Sequence, residues 1–280
     1  MMLNNKTIAF IGAGNMAEAL IRGLLAAKTV TPGKVIVTDI LKERISHFAA
    51  EFNIRTTSDN ATAVADANVV VLAVKPQQMS VVLAALKPKI NERQLFISIA
   101  AGVTTARIER ELATNNSGMG SKARVVRVMP NAPALVRAGT AALCKGAHAS
   151  DEDLAVAEAV FSAVGVTVRV EEKFMDAVTA LSGSGPAYVF YVTEAMAKAG
   201  VEAGLDEAVA KRLARQTVYG AAKLLVECNE EVEVLRRKVT SPGGTTEAAL
   251  KVMSERKLAE IFVAAVQAAA RRSKELSGGG

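Results

Sequence analysis

Phe10-Ile11-Gly12-Ala13-Gly14-Asn15-Met16-Ala17 stands close to the start of this 280-residue chain. An apolar run, Thr7–Ile11, leads into it, and a stretch of helical period, Met16–Ala27, leads out. The pattern is G-x-G-x-x-A between a strand and a helix. Gly12 allows the tight turn, Gly14 lets the backbone approach a pyrophosphate, and Ala17 permits close helix–strand packing. In that setting the segment predicts a dinucleotide site at the head of an alternating domain.

The chain downstream keeps the alternation. Further apolar, β-branched runs are Val35–Thr38, Val69–Val74, Leu95–Ala100, Arg124–Met129 and Val166–Val170, with helical stretches such as Glu43–Glu51 and Met79–Leu86 between them. This spells a parallel sheet with helices on both faces. Ligands of such sheets sit beyond the carboxyl ends of the strands. The second strand ends at Asp39, an acid placed to accept ribose hydroxyls and disfavour a 2′-phosphate, although Lys42 and Arg44 follow. Asn60 comes after the third strand and reads equally as an adenosine contact or as a helix cap. The fourth strand ends Ala73-Val74-Lys75-Pro76, which puts Lys75 beside the cofactor while Pro76 stops the strand. The fifth ends Ala100-Ala101-Gly102, small enough for a flat ring to lie on the backbone. The sixth runs into Met129-Pro130-Asn131-Ala132-Pro133, a stiff turn aimed at the same crevice or else a plain surface turn.

After Glu171 the strand signals stop. Ala187–Ala203, Asp206–Glu227, Glu230–Lys238 and Glu255–Leu276 all read as helices. The fold class expected is therefore α/β: an N-terminal doubly wound parallel sheet of Rossmann type over residues 1–168, followed by an all-α domain over 169–280. Alanines at 208, 210, 214, 221 and 222 allow close helix contacts, and helices this apolar call for a second copy, which predicts a homodimer. Leu181-Ser182-Gly183-Ser184-Gly185-Pro186-Ala187 joins the two parts, as a hinge, a close-packing turn or a ligand contact, with Pro186 in the first turn of the next helix. A second glycine segment, Thr240-Ser241-Pro242-Gly243-Gly244-Thr245-Thr246, precedes the helix-forming Glu247–Leu250. Bare backbone and hydroxyls at a helix start make an anion pocket. Thr114–Lys122 reads as an exposed connection, and Gly278–Gly280 as a disordered end.

Half the residues are hydrophobic, 22% are charged, aromatics are 4% and Trp is absent, so the core is built from Ala, Val, Leu and Ile. No apolar run has membrane-spanning length, and nothing resembling a signal peptide precedes the first strand, so the chain is expected to be cytoplasmic. Cys144 and Cys228 have no metal-type spacing and read as reduced packing residues; His47 and His148 read as surface residues, and no metal site is expected. The formal charge of +6 favours anionic partners. The basic runs Arg236-Arg237-Lys238 and Arg271-Arg272 are short and lack interleaved aromatics. They read as solvated helix faces and not as a nucleic-acid surface. A phosphate-rich cofactor and a carboxylate substrate suit the same charge.

FIGAGNMAEAL, VKPQ, SIAAGV, VRVMPNAP, LSGSGPAYVF and TSPGGTT follow one another in this order between about Thr7 and Leu276. Together they resemble pyrroline-5-carboxylate reductase, the last two motifs being far more specific than the glycine fingerprint. The resemblance implies reduction of the cyclic imine 1-pyrroline-5-carboxylate to L-proline, with NADPH or NADH as hydride donor, as the last step of proline biosynthesis. It implies a Rossmann domain, a helical dimerisation domain and dimers that can assemble as a pentamer of dimers. The active site would lie between the nucleotide domain of one subunit and helices of its partner. Carried over residue by residue, Ala13, Asn15 and Met16 line the pyrophosphate, beside Gly12 and Gly14. Asn60, Val74, Lys75 and Ala101 contact the rest of the cofactor, and Asp39 and Pro76 border it. Ser241, Gly244, Thr245 and Thr246 hold the substrate carboxylate. Outside the resemblance, the turn after the sixth strand is expected to put Asn131 on the substrate side, and the place of Thr246 beside the carboxylate pocket suggests that its hydroxyl hydrogen-bonds the ring nitrogen. The chain departs from the family at Asp39, where many members carry a 2′-phosphate ligand, and at Lys238, where Asn or Asp is common; no role is carried onto Lys238.

Hydride goes to an imine carbon, which is more electrophilic when its nitrogen is protonated. No His-Asp or Lys-Tyr pair is visible, and a substrate that arrives protonated needs none; position and orientation then carry the catalysis. Two other readings compete. β-Hydroxyacid dehydrogenases use a Lys on the helix after a glycine-rich segment, but the helix from Pro186 has its first Lys at Lys198, about three turns on. A redox-sensing nucleotide-binding protein would bind the dinucleotide without turnover.

Overall fold

Ile8-Ala9-Phe10-Ile11 has no polar side, so both of its faces must be covered. The computed structural model, which describes residues 3, 5–113 and 122–278, covers them. The strands β1 (Ile8–Ile11), β2 (Val35–Thr38), β3 (Arg55–Thr57), β4 (Val69–Leu72), β5 (Leu95–Ser98), β6 (Arg124–Met129), β7 (Gly139–Lys145) and β8 (Gly165–Arg169) form one eight-stranded sheet in the order 3-2-1-4-5-6-7-8. Every residue of β1, β2, β4 and β5 is buried. The first six strands pair in parallel in the doubly wound order, which reverses direction between β1 and β4.

Alternate side chains of β1 serve two cores. Ile8 and Phe10 pack with Leu20, Ile21 and Leu24 of helix α1 (Asn15–Ala26) and with Phe48 and Phe52 of α2 (Lys42–Phe52). Ala9 and Ile11 face the opposite core. That core is filled by Val64 of α3 (Asn60–Ala65), Met79, Leu83 and Leu86 of α4 (Met79–Leu86), and Ile108 and Leu112 of α5 (Thr105–Leu112). Helix α6 (Asp151–Phe161) returns to the first core through Leu154, Val160 and Phe161 and opens with a capping box, Ser150 with Asp153.

The sheet departs from the expected pattern at one edge. β7 is a strand the sequence did not announce, and it runs antiparallel to β6. The connection 130–138 between them is too short for a crossover, which needs a dozen or more residues. β8 then pairs with β7 in parallel, through α6. The apolar strand runs expected to reach Val74 and Ala100 end at Leu72 and Ser98, where the chain turns out of the sheet.

Beyond Arg169 the described chain is helical: α7 (Met175–Val178), a π-helical turn at Thr179–Gly183, α8 (Gly185–Glu202), α9 (Glu207–Glu227), α10 (Val232–Lys238), α11 (Thr245–Glu255) and α12 (Leu258–Leu276). Pro186 lies in the first turn of α8, where its missing N–H is harmless. Two compact units emerge, Met1–Gly183 with Ala269–Gly280, and Ser184–Ala268. In the first, the Ser273 hydroxyl donates to Asp176 at 2.6 Å. In the second, α8 and α9 approach closely at Gly200: a Cβ there would stand 3.2 Å from that of Ala210. No residue of α8 or α11 is buried. Phe190, Tyr191, Leu213, Tyr219 and Ile261 are each more than half exposed. Apolar faces on this scale mark an interaction surface. Of the connection expected at Thr114–Lys122 only Lys122 lies within the described residues, and Gly279 and Gly280 lie outside them.

Candidate active site

The turn after β1 is held by geometry that only glycine meets. Gly12 has φ +104°, and a Cβ on it would stand 2.6 Å from the carbonyl oxygen of Ala73. Its N–H donates to the Thr38 carbonyl at 2.9 Å, while Ala73 N–H donates to the Ile11 carbonyl at 2.8 Å. The carboxyl ends of β1, β2 and β4 therefore meet where the strand order reverses. Gly14 differs: nothing lies within 4 Å of where its Cβ would be. It is the N-cap of α1 and carries no side-chain cap, so the first N–H groups of that helix are open to an anion. Ala13 and Ala17 are buried, whereas Gly14 and Asn15 are exposed at the helix mouth with Met16 half-buried.

Asp39, just past β2, reaches into this turn. One carboxylate oxygen accepts the Ala13 N–H at 2.8 Å and the other the Leu41 N–H at 2.9 Å. From the opposite side, Arg44 Nε donates to the Ala13 carbonyl at 2.8 Å, and its Nη2 pairs with Glu18 at 2.9 Å. Both ends of the Ala13 residue are thus pinned by side chains. Burial works against ionisation of Glu18, but Arg44, His47 and Arg22 around it more than offset this and hold its carboxyl below the ordinary value.

Asn60 is the first residue of α3, and its side-chain oxygen accepts from the Thr38 hydroxyl at 2.6 Å. The cap of that helix is its neighbour Asp59, which accepts the Ala61 N–H; the cap reading of Asn60 was off by one residue. Val74, Lys75 and Pro76 follow β4, with Lys75 exposed at the N-cap of a short 3-10 turn. Ala101 is exposed after β5, beside a buried Gly102. Asn131 ties the turn after β6: its amide N–H donates to the Ser182 carbonyl at 3.0 Å, and its oxygen accepts the Thr140 N–H at 2.9 Å. A Cβ at Gly183 would stand 2.6 Å from the terminal methyl of Met129, the mobile end of a flexible side chain. Cys144 is buried in β7, and burial pushes its thiol up to about 12, which leaves it unreactive.

The second unit builds the other glycine segment onto the start of α11. Gly243 takes φ +69°, and Gly244 N–H donates to the Ser241 carbonyl at 3.0 Å, closing the turn. Gly244 is the N-cap and again carries no side-chain cap. The N–H groups of Thr245 and Thr246, in the first helical turn, have no intrahelical acceptor. The Gly243 N–H is taken by Glu247, whose carboxylate accepts it at 2.7 Å. An open cavity of about 640 Å3 adjoins Thr240, Gly243, Gly244, Glu247 and Lys251. Lys238, at the end of α10, is paired with Glu230 at 2.6 Å.

The described helices include none long and apolar enough to cross a membrane, and no cluster of metal-ligating side chains occurs among the described residues. A family model for pyrroline-5-carboxylate reductase dimerisation matches residues 172–276, and one for NADP oxidoreductase, coenzyme F420-dependent, matches residues 7–102. The pyrroline-5-carboxylate reductase of Methanosarcina acetivorans is 43% identical over 98% of this chain and 99% of its own. The chain belongs to the pyrroline-5-carboxylate reductase family. Another member, from Pseudomonas aeruginosa, is 44% identical over 98% of each chain. The solved structure of the reductase from Coxiella burnetii superposes with a TM-score of 0.90 at 41% identity, covering 98% of this chain and 99% of that one. The Plasmodium falciparum pyrroline carboxylate reductase, solved with NADP bound, gives 0.83 at 29% identity over 98% and 99%.

The family reduces pyrroline-5-carboxylate to proline with a nicotinamide cofactor, and that is the activity of this chain. Gly12, Gly14 and the first turn of α1 fit a dinucleotide pyrophosphate, since bare N–H groups face open space there. The dimerisation family match makes the helical part an oligomerisation domain for a small-molecule enzyme. Three residues that brace these turns, Glu18, Arg44 and Glu247, were not singled out for this from the sequence, where Arg44 read only as a possible 2′-phosphate ligand. Glu247 carried a local signal, an acid at the third helical position, the place from which a capping-box side chain reaches back. The pairing of Glu18 with Arg44 carried none, because it depends on α1 and α2 lying side by side.

Proposed function

We propose that this reduction runs between two binding elements, one for the cofactor in residues 1–168 and one for the imino acid in residues 169–280. Gly12, Ala13, Gly14, Asn15 and Met16 hold the pyrophosphate. Asp39 and Asn60 border the adenosine half, and Val74, Lys75, Pro76 and Ala101 border the nicotinamide half. Ser241, Gly244, Thr245 and Thr246 clamp the substrate carboxylate, with Asn131 on the substrate side. What supports the clamp is the bare start of α11: an uncapped Gly244, a left-handed Gly243 and the unpaired first-turn N–H groups, with the positive end of the helix dipole behind them. The bound cofactor supplies the hydride. The protein's own residues fix the ring by its carboxylate, and the Thr246 hydroxyl holds the ring nitrogen in its protonated form. Lys198, the first lysine of α8, is 80% exposed and lies 3.8 Å from Glu202, a surface pair that favours no hydroxyacid-dehydrogenase role.

Two copies join through the apolar faces of α8, α9 and α12, with five such dimers as the full assembly, in the cytoplasm. The clamp of one copy serves the nucleotide domain of the other. Thr246→Ala tests the clamp and the catalytic role together. The expected result is a fall in kcat of tenfold or more, the size of one hydrogen bond to a charged group. Turnover within about twofold of wild type would remove Thr246 from the mechanism.

A further inference from the structure

We infer that the chain selects a dinucleotide with a free 2′-hydroxyl, NADH over NADPH, and that Glu18 enforces the choice by holding Arg44 away from the ribose. The inference rests on the dinucleotide site after β1 and sharpens it. A 2′-phosphate at the end of β2 needs a cation free to meet it, and an acid at the end of β2 opposes it. Asp39 supplies the acid, fixed in place by the Ala13 and Leu41 N–H groups at 2.8 and 2.9 Å. Arg44 is the cation best placed to compensate, and two of its five N–H donors, which fix the direction of the guanidinium, are already used. Nε serves the Ala13 carbonyl at 2.8 Å, Nη2 serves Glu18 at 2.9 Å, and the guanidinium lies over the Phe48 ring at 5.2 Å from its centre. To swing its guanidinium out to a phosphate on the ribose it must release the carbonyl of the pyrophosphate loop and the Glu18 carboxylate. Arg22 and His47 meet the other oxygen of Glu18, at 3.3 Å each, so the Glu18 oxygen that holds Arg44 is not shared with them. Lys42 remains, a single exposed and strongly hydrated ammonium on a flexible stem, and it faces the Asp39 charge as its competitor.

The same contacts give Arg44 a positive task. Asp39 and Arg44 grip the two ends of Ala13, so they set the loop that any dinucleotide must meet. Loss of Arg44 should therefore weaken both cofactors alike.

The test is equilibrium fluorescence titration with NADH and with NADPH, without substrate, on wild type, Arg44→Ala, Glu18→Gln and Asp39→Ser. Wild type is expected to bind NADH about tenfold more tightly, the size of one charged hydrogen bond. Arg44→Ala should weaken both by similar factors, Glu18→Gln should tighten NADPH alone, and Asp39→Ser should narrow the gap. NADPH bound as tightly as NADH by wild type overturns the proposal, as does a loss in Arg44→Ala confined to NADPH. Binding of neither dinucleotide overturns it together with the site. NADH bound preferentially without turnover of the imine leaves this inference standing and removes the clamp.

Discussion

The Gly243 N–H donates to the Glu247 carboxylate at 2.7 Å, across the first turn of α11. This ties the left-handed glycine to the helix whose N–H groups form the proposed carboxylate clamp. A protein carboxylate thus fills one donor of the nest and leaves the next donors for the substrate. Glu247→Ala should release the loop. The loss of a cap of this kind costs about 0.5–2 kcal/mol, or a few degrees of Tm for a chain of this size. KM for the imino acid should rise severalfold while the dissociation constant for the cofactor stays put. Steady-state kinetics beside dinucleotide titration separates the two, and a change in cofactor binding alone would contradict the assignment.

Gly12 and Gly14 should fail differently. At Gly12 an added methyl meets the Ala73 backbone, and φ +104° strains any L side chain. Gly12→Ala should lower Tm by several degrees and abolish dinucleotide binding, since strain of ~1–3 kcal/mol and overpacking add. At Gly14 the methyl meets empty space and φ is −77°, so Gly14→Ala should keep its Tm. It should still weaken the dinucleotide, because the methyl stands where the pyrophosphate approaches. Thermal melts with and without NADH check both.

The helical faces predict an assembly. Phe190 in α8 is 62% exposed and Tyr219 in α9 is 61% exposed, both lining one apolar groove. Sedimentation at micromolar concentration should show a dimer or larger, and Phe190→Glu should shift it towards monomer. Imine reduction should fall with it while NADH binding persists. A wild-type monomer that is fully active would contradict the proposal that one copy completes the site of the other.

Glu109 gives a pH dependence. Burial raises its carboxyl above the usual range, against the Ala147 and His148 N–H groups that bond it, and one of its oxygens is buried without a partner. A raised pKa in the folded state means that folding favours the protonated form. Stability from this group is full below the ordinary carboxylate pKa and is lost as pH rises through the raised value. Glu109→Gln, always neutral, should therefore gain Tm relative to wild type on going from pH 4 to pH 8. A difference in Tm that does not change over that range would contradict this reading.

The sequence announced the parts whose geometry is local. The turn Gly12–Gly14 needs backbone that glycine alone supplies, and α4 was bounded at Met79 and Leu86 by the proline turn before it and its own apolar period. The start of α11 was legible for the same reason. β7 was not, because Gly139-Thr140-Ala141-Ala142-Leu143-Cys144-Lys145 has one β-branched residue and is a strand through its pairing with β6 and β8. The Asp39–Ala13–Arg44 grip was equally hidden, since its three parts lie on separate stretches that only the sheet order brings together.

The most direct measurement is oxidation of NADH and of NADPH, in parallel, in the presence of 1-pyrroline-5-carboxylate. Absorbance at the nicotinamide band should fall only when the cyclic imine is present, with one proline formed per cofactor oxidised. Dinucleotide that binds but is not oxidised, or oxidation that needs a hydroxy acid in place of the imine, would contradict the account.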